Sequence, residues 1–246
     1  MTTHERVAVV TGGGSGIGLA TCSRLAADGF TVAVLDLDGD AAKAAAGTDG
    51  TGYAADVADA DAVERTFAEI VAAFGRIDVL VNNAGISGGP NATICHETPV
   101  EDWDRVHAIN SRGPFLCSRA ALPVMLAQGS GHIITVASVA GQIVFPGRCA
   151  YTASKGAALM FAKSLAVDYA SAGIRSNAVC PGFVETPMTQ WRLDIPELRA
   201  KVEVNIPLGR VAQPADIADA ICVLASGRLG YMNGHALVVD GGWTAI

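Results

Sequence analysis

The 246-residue sequence lacks several features that would each have fixed its class. It has no run of about 18 apolar residues, the length that crosses a bilayer. Its first apolar run is only Val7–Val10, and the polar stretch before it carries no secretion-signal pattern. The six cysteines (Cys22, Cys95, Cys117, Cys149, Cys180 and Cys222) form no CxxC pair, and the five histidines show neither HExxH nor any other metal-ligand spacing. Scattered cysteines in a chain that can build a large core are expected to be small buried hydrophobes rather than a disulfide framework. Positive charge is scarce: 17 Lys+Arg stand against 24 Asp+Glu, a net charge of −7, which argues against a binder of nucleic-acid backbone. With 50% hydrophobic and only 17% charged residues, general disorder is excluded. Asn91-Ala92-Thr93 matches a glycosylation sequon. Without a secretion signal it reads as a chance match, and the expected compartment is the cytoplasm, with neither membrane nor nucleic acid as a partner.

What the sequence has is glycine. Its 28 glycines exceed the usual ~7%, and they lack the three-residue period of collagen. Several stand where strands end. Arg6–Thr11 is a near-continuous apolar strand that runs into glycines, and Ile17–Asp28 then reads as a helix. Further strands are expected at Thr31–Leu35, Thr51–Ala55, Ile77–Val81, His132–Val136, Ile174–Val179 and Ala236–Val239. Helices are expected at Ala41–Ala46, Ala60–Phe74, Ala150–Tyr169 and Pro214–Ala225, with two more between residues 101 and 127, where Pro114 either bends the region or starts a new segment. Strands that are apolar over consecutive residues and alternate with helices indicate an α/β chain with a mostly parallel sheet covered on both faces. No linker, low-complexity tract or repeat interrupts residues 1–246, so one domain is expected. Residues 183–213 show no strand–helix unit. They are either a surface insertion or a segment covering a substrate, the latter favoured because ligands bind beyond strand ends in such sheets.

Thr11-Gly-Gly-Gly-Ser-Gly-Ile-Gly18 joins the first strand to its helix, with Gly12, Gly16 and Gly18 in the spacing of a dinucleotide loop. Glycine lets backbone amides approach a pyrophosphate, which the helix N-terminus also favours. Asp36 ends the second strand, 18 residues beyond Gly18, and suits the ribose hydroxyls of the adenosine half. It would repel a 2′-phosphate, and Leu37 offers no cation to neutralise one, so NAD is favoured over NADP. Asp56-Val57 is placed to border the adenine. Asn82-Asn83-Ala84-Gly85 follows the fourth strand as a turn, expected to face the cofactor.

Tyr151 and Lys155 lie four apart, hence on one helix face. A nearby ammonium favours tyrosinate, and the tyrosine can then take or give an alcohol proton. Ser138, 13 residues before Tyr151, can orient the reacting oxygen. Asn110 can hold the lysine and a proton-carrying water. Each residue taken alone could be structural, and the coincidence of all of them with the glycine loop argues otherwise.

On these residues the sequence resembles the short-chain dehydrogenase/reductase family over essentially its whole length. The resemblance implies a Rossmann-type doubly wound parallel sheet of seven strands with helices on both faces. It also implies NAD as cofactor, a catalytic set of Asn110, Ser138, Tyr151 and Lys155, and a homotetramer built through helices within 101–127 and 150–170. The matching cofactor positions are Gly12, Ser15, Gly16, Ile17, Gly18, Asp36, Leu37, Asp56, Val57, Asn83, Ala84, Gly85, Tyr151 and Lys155. Pro181, Gly182, Val184 and Thr186 complete them on the nicotinamide side. Within the family, Phe145-Pro-Gly-Arg148 and Glu185-Thr-Pro-Met-Thr-Gln-Trp-Arg-Leu-Asp194 are similar to dehydrogenases of secondary alcohols that carry a sulfonate tail. That likeness implies Arg148, Trp191 and Arg192, beside Ser138, as substrate-binding residues; two guanidinium groups suit an anionic oxygen fork. Asn205-Ile-Pro-Leu-Gly-Arg210 departs towards general ketone reductases, which leaves a general carbonyl reductase, a 3-oxoacyl carrier-protein reductase and a non-catalytic dinucleotide sensor as alternatives, with Arg210 read as structural.

Overall fold

A computed structural model describes residues 6–89 and 92–245. Asn91 of the sequon and Ile246 lie outside the described residues. Seven strands form a single parallel sheet: β1 (Arg6–Thr11), β2 (Phe30–Asp36), β3 (Thr51–Ala54), β4 (Val79–Asn82), β5 (Gly131–Val136), β6 (Ile174–Pro181) and β7 (Ala236–Val239), in the order β3-β2-β1-β4-β5-β6-β7. Val7 to Val10 of β1 are buried without alternation, as a strand covered on both faces requires.

Helices α1 (Gly16–Ala27), α2 (Gly39–Ala46) and α3 (Ala60–Phe74) connect the first four strands. Their ends follow local chemistry. Asp59 accepts from the amides of Asp61 and Ala62 at the start of α3, and Gly75 ends it in the left-handed conformation at φ 72°. Next come α4 (Val100–His107) and α5 (Gly113–Gln128), joined without a break by a wide π-helical turn over Ala108–Arg112. Pro114 sits in the first turn of α5 and so starts a segment. The remaining helices are α6 (Cys149–Tyr169), α7 (Pro187–Leu193), α8 (Pro196–Glu203) and α9 (Pro214–Ala225). On one face of the sheet Cys22 and Leu25 of α1 pack with Ile217, Ile221 and Leu224 of α9. On the other, Phe67 and Ile70 of α3, Leu116 and Met125 of α5 and Leu165 of α6 form the second core layer.

Two expectations need correction. The excursion over 183–213 is not irregular: it contains α7 and α8, each started by a proline, with Thr186 and Thr189 forming a reciprocal cap on α7. These helices have seven and eight residues, too short for a periodic apolar pattern to show. They fold around a small core of their own, Leu193, Val202, Ile206 and Val211, against Phe183 and Trp243. A short parallel bridge between Val184 and Ala212 closes the base of the excursion. The second correction concerns cysteine. All six thiols are free, and Cys22, Cys117, Cys180 and Cys222 are buried, but Cys149 is half-buried and Cys95 is exposed.

Candidate active site

Chain order reverses between β1 and β4, and a cleft of about 310 Å³ opens there, beyond the C-terminal strand ends. The glycine loop forms one wall. Gly12 has φ +61°, and a Cβ on it would lie 2.8 Å from Ala84 Cα, so only glycine lets the loop sit against the turn after β4. Asn83 locks that contact by donating to the carbonyls of Thr11 and Gly12, both at 3.0 Å. The N-terminus of α1 faces the cleft through Ser15, Gly16 and Ile17; Ser15 makes no side-chain cap and the first turn holds no acid, so its amides stay available to an anion. Gly18 lies behind the wall rather than in it: a Cβ there would stand 2.1 Å from the Gly12 carbonyl oxygen, so its role is close packing of helix on loop.

At the far end Asp36 accepts from Gly14 N at 2.8 Å and Asp38 N at 3.1 Å, which aims its carboxylate at the loop. Leu37, Asp56 and Val57 line the same end, with Asp56 accepting from Ala58 N at 2.8 Å. Ala84, Gly85, Pro181, Gly182, Val184 and Thr186 line the other end. Of the cofactor positions expected from the sequence, all but Gly18 border this cleft.

Where the cleft meets a second cavity, Ser138 and Tyr151 line both. Ser138 caps the turn after β5, its Oγ accepting from Ala140 N at 3.0 Å. Lys155, one turn along α6 from Tyr151, is buried and donates to the Val136 carbonyl at 2.8 Å. Burial pulls its ammonium down to about 8. The electrostatics of Tyr151 differ from the sequence expectation. Burial pushes its phenol up, while the Ser138 hydroxyl and then Arg148 pull it down. Lys155 Nζ stands over the Tyr151 ring, 5.8 Å from its centroid, and its hydrogen bond goes to the Val136 carbonyl. Asn110 sits in the π-helical turn, a geometry frequent at functional sites. It does not bond Lys155; it accepts from Ile86 N at 2.9 Å and donates to Ile86 O at 2.8 Å and to Ser154 Oγ at 3.0 Å. Gly85 separates the two, since a Cβ on it would lie 3.2 Å from Asn110 Oδ1 and 3.4 Å from Lys155 Nζ.

The second cavity, about 410 Å³, lies between this centre and the excursion. Arg148 enters from the start of α6 and donates to the Gly89 and Ser87 carbonyls at 2.6 and 3.4 Å. Its guanidinium stands 5.7 Å from the Trp191 ring centroid. Burial first, and Arg192 second, lower its pKa. Arg192 comes from α7, 5.7 Å from the Phe183 ring centroid, with its Nε buried and unpartnered. Phe145, Phe183 and Trp243 supply an aromatic wall, and among the described residues no carboxylate side chain lines the cavity. Sequence reasoning missed Ser87, Met188, Lys201 and Asn205 as lining residues, because the elements carrying them were not visible. Arg210 lies outside the cavity, paired with Asp216 at 2.7 Å. Among the described residues no His, Cys, Asp or Glu cluster is arranged to hold a metal, and no helix is long and apolar enough to cross a membrane.

Comparison with known proteins agrees with this geometry. A family profile described as enoyl-(acyl carrier protein) reductase matches residues 12–244. The chain is 54% identical to 2-(R)-hydroxypropyl-CoM dehydrogenase of Xanthobacter autotrophicus, over 98% of this chain and 100% of that protein. It is 41% identical to 2-(S)-hydroxypropyl-CoM dehydrogenase 3 of the same organism, over 98% of each. Among solved structures, ElxO with NADP bound superposes with a TM-score of 0.92 at 29% identity, covering 98% of this chain and 100% of that one.

Proposed function

This chain belongs to the short-chain dehydrogenase/reductase family of NAD(P)-dependent oxidoreductases acting on small alcohols and carbonyls, and we propose that its own reaction is the reversible, NAD-linked oxidation of 2-(R)-hydroxypropyl-coenzyme M to 2-oxopropyl-coenzyme M. The observation that carries this reading is the second cavity: it opens onto Ser138 and Tyr151, holds Arg148 and Arg192, and has no carboxylate side chain among the described residues that line it. A sulfonate tail fits such a place, since guanidinium groups meet anionic oxygens with several charge-assisted hydrogen bonds. Trp191 and the aromatic wall pack beside an apolar or thioether stem. Anchoring the tail there holds the alcohol carbon beside Tyr151 and converts binding energy into orientation.

The residues of the first cleft fit a dinucleotide. The close approach at Gly12, the uncapped N-terminus of α1 and the carboxylate of Asp36 match a pyrophosphate followed by a ribose with free hydroxyls. Asp36 repels a 2′-phosphate and exposed Leu37 supplies no counter-charge, which favours NAD. NAD, when bound, supplies the acceptor for the hydride of the alcohol carbon. Ser138 holds the reacting oxygen by its hydroxyl. Tyr151 takes the alcohol proton in oxidation and returns it in reduction. Lys155, held by the Val136 carbonyl, keeps a positive charge under the tyrosine ring and faces the ribose side. Asn110 fixes the Ile86 backbone that borders both.

The same reading takes the chain as one catalytic domain acting in the cytoplasm, as a homotetramer. Exposed Phe115 on α5 and Met160 and Val167 on α6 supply apolar faces for the contact between subunits. The test is NAD-linked turnover of separate R and S forms of 2-hydroxypropyl-coenzyme M beside short neutral secondary alcohols. The proposal expects the sulfonated alcohol to be used with the higher kcat/KM. Equal use of neutral alcohols would make the protein a general dehydrogenase, and NADH binding without turnover of any carbonyl would make it a sensor.

A further inference from the structure

The excursion carries four basic residues, and they divide into two kinds. Arg199 is neutralised by Glu185 at 2.6 Å and Glu203 at 3.6 Å, and Arg210 by Asp216 at 2.7 Å; neither lines the second cavity. Arg192 and Lys201 have no carboxylate partner among the described residues, and both line it. The sorting is sharpest on α8, where Arg199 and Lys201 stand two residues apart and so face different ways. One is spent on holding the excursion together, and the other is left unpaired at the cavity rim.

We infer that Lys201 is a third anion-binding residue of the substrate cavity, a specificity determinant that meets a sulfonate together with Arg148 and Arg192. This deepens the sulfonated-alcohol reading and rests on it. Arg148 has already committed donors to the Gly89 and Ser87 carbonyls, so it meets an anion with only part of its fork. Arg192 offers a buried Nε without an acceptor. An ammonium on a flexible stem can reach the remaining sulfonate oxygen from α8. A cation in the last turn of α8 also complements the helix dipole, but that role leaves substrate kinetics unchanged.

The experiment compares Lys201→Gln, Lys201→Arg and Arg192→Ala, with 2-hydroxypropyl-coenzyme M and with 2-butanol, and reads inhibition of 2-butanol oxidation by ethanesulfonate. For Lys201→Gln we expect KM for the sulfonated alcohol to rise about three- to tenfold with kcat little changed, as befits a rim charge. Kinetics with 2-butanol should stay the same and ethanesulfonate should inhibit less; Lys201→Arg should restore both. Equal effects of Lys201→Gln on the two alcohols, or none on either, while Arg192→Ala discriminates, would overturn this inference and leave the sulfonate reading standing. No discrimination by either variant would remove both.

Discussion

The two cavities meet at Ser138, Tyr151 and Gly182, yet they are built in opposite ways. The cofactor cleft is lined by strand ends and the turns that follow them, its outer charges are Asp36 and Asp56, and Lys155, the one cation among the described residues lining it, is buried and bonded to a carbonyl. The substrate cavity is lined by segments far apart in sequence; among the described residues its charged side chains are all positive, and none of them is paired with a carboxylate. One half presents the backbone amides at the start of α1, and the other presents long cationic side chains. The net charge of −7 therefore says little about the ligand: the acid lies elsewhere, and the sign inverts where the tail would bind.

This comparison can be broken most forcefully at the shared centre. Tyr151→Phe removes the proton acceptor common to both halves, and turnover should fall by at least about 10²–10⁴-fold while NADH still binds. Measured turnover near that of the parent protein would place the proton transfer elsewhere. Because burial raises the Tyr151 phenol, its proton-accepting form grows as pH rises, so kcat/KM for oxidation should increase on the alkaline side and that for reduction should decline.

A second prediction separates both cavities from the scaffold beneath them. His132 is buried, with Nδ1 3.1 Å from the Leu224 carbonyl and Nε2 accepting from Asn177 at 2.9 Å, so it is held neutral. Burial, with Arg175 adding to it, pulls it down to about 3. The unfolded chain then takes up this proton first, near pH 6.5. The stability is complete above that pH and is lost as pH falls from about 6.5 towards 3. By pH 5 the loss should be about 2 kcal/mol. Thermal unfolding between pH 7 and 5 should show it, and His132→Gln should flatten the slope; an equal slope in that variant would assign the acid sensitivity to other groups.

The smallest expected effect lies at the adenosine end. Asp36→Ser should shift the ratio of NADP to NAD use upward by about tenfold, because a repulsive carboxylate is lost without a cation being gained. An unchanged ratio would mean that Asp36 serves the loop alone, through Gly14 and Asp38.

The same contrast explains what was legible in the sequence. The cofactor half is written in short contiguous stretches, so Gly12, Asp36, Asn83 and the Tyr151–Lys155 pair could be read with their elements, and α3 and α9 have the expected bounds. The substrate half depends on where α7 and α8 fold back. Those helices are too short for periodicity, and Lys201 and Asn205 became cavity residues only once α8 was placed against Trp243. Arg148 and Arg192 could be named from resemblance, but the two carbonyls that hold Arg148 come from residues 87 and 89, some sixty positions away. The π-helical turn around Asn110 has no sequence signature either, and with it the clamp on Ile86 was invisible.

The claim that the cationic cavity selects the substrate is tested most directly by one ratio. It is kcat/KM for 2-hydroxypropyl-coenzyme M over kcat/KM for 2-butanol, measured with NAD in the parent protein and in the Arg148→Ala/Arg192→Ala double variant. The account predicts a ratio well above one that collapses by about 10²-fold or more in the variant while 2-butanol turnover persists, since each guanidinium–sulfonate contact is worth roughly 1.5–3 kcal/mol. A ratio that stays the same in the double variant would contradict it.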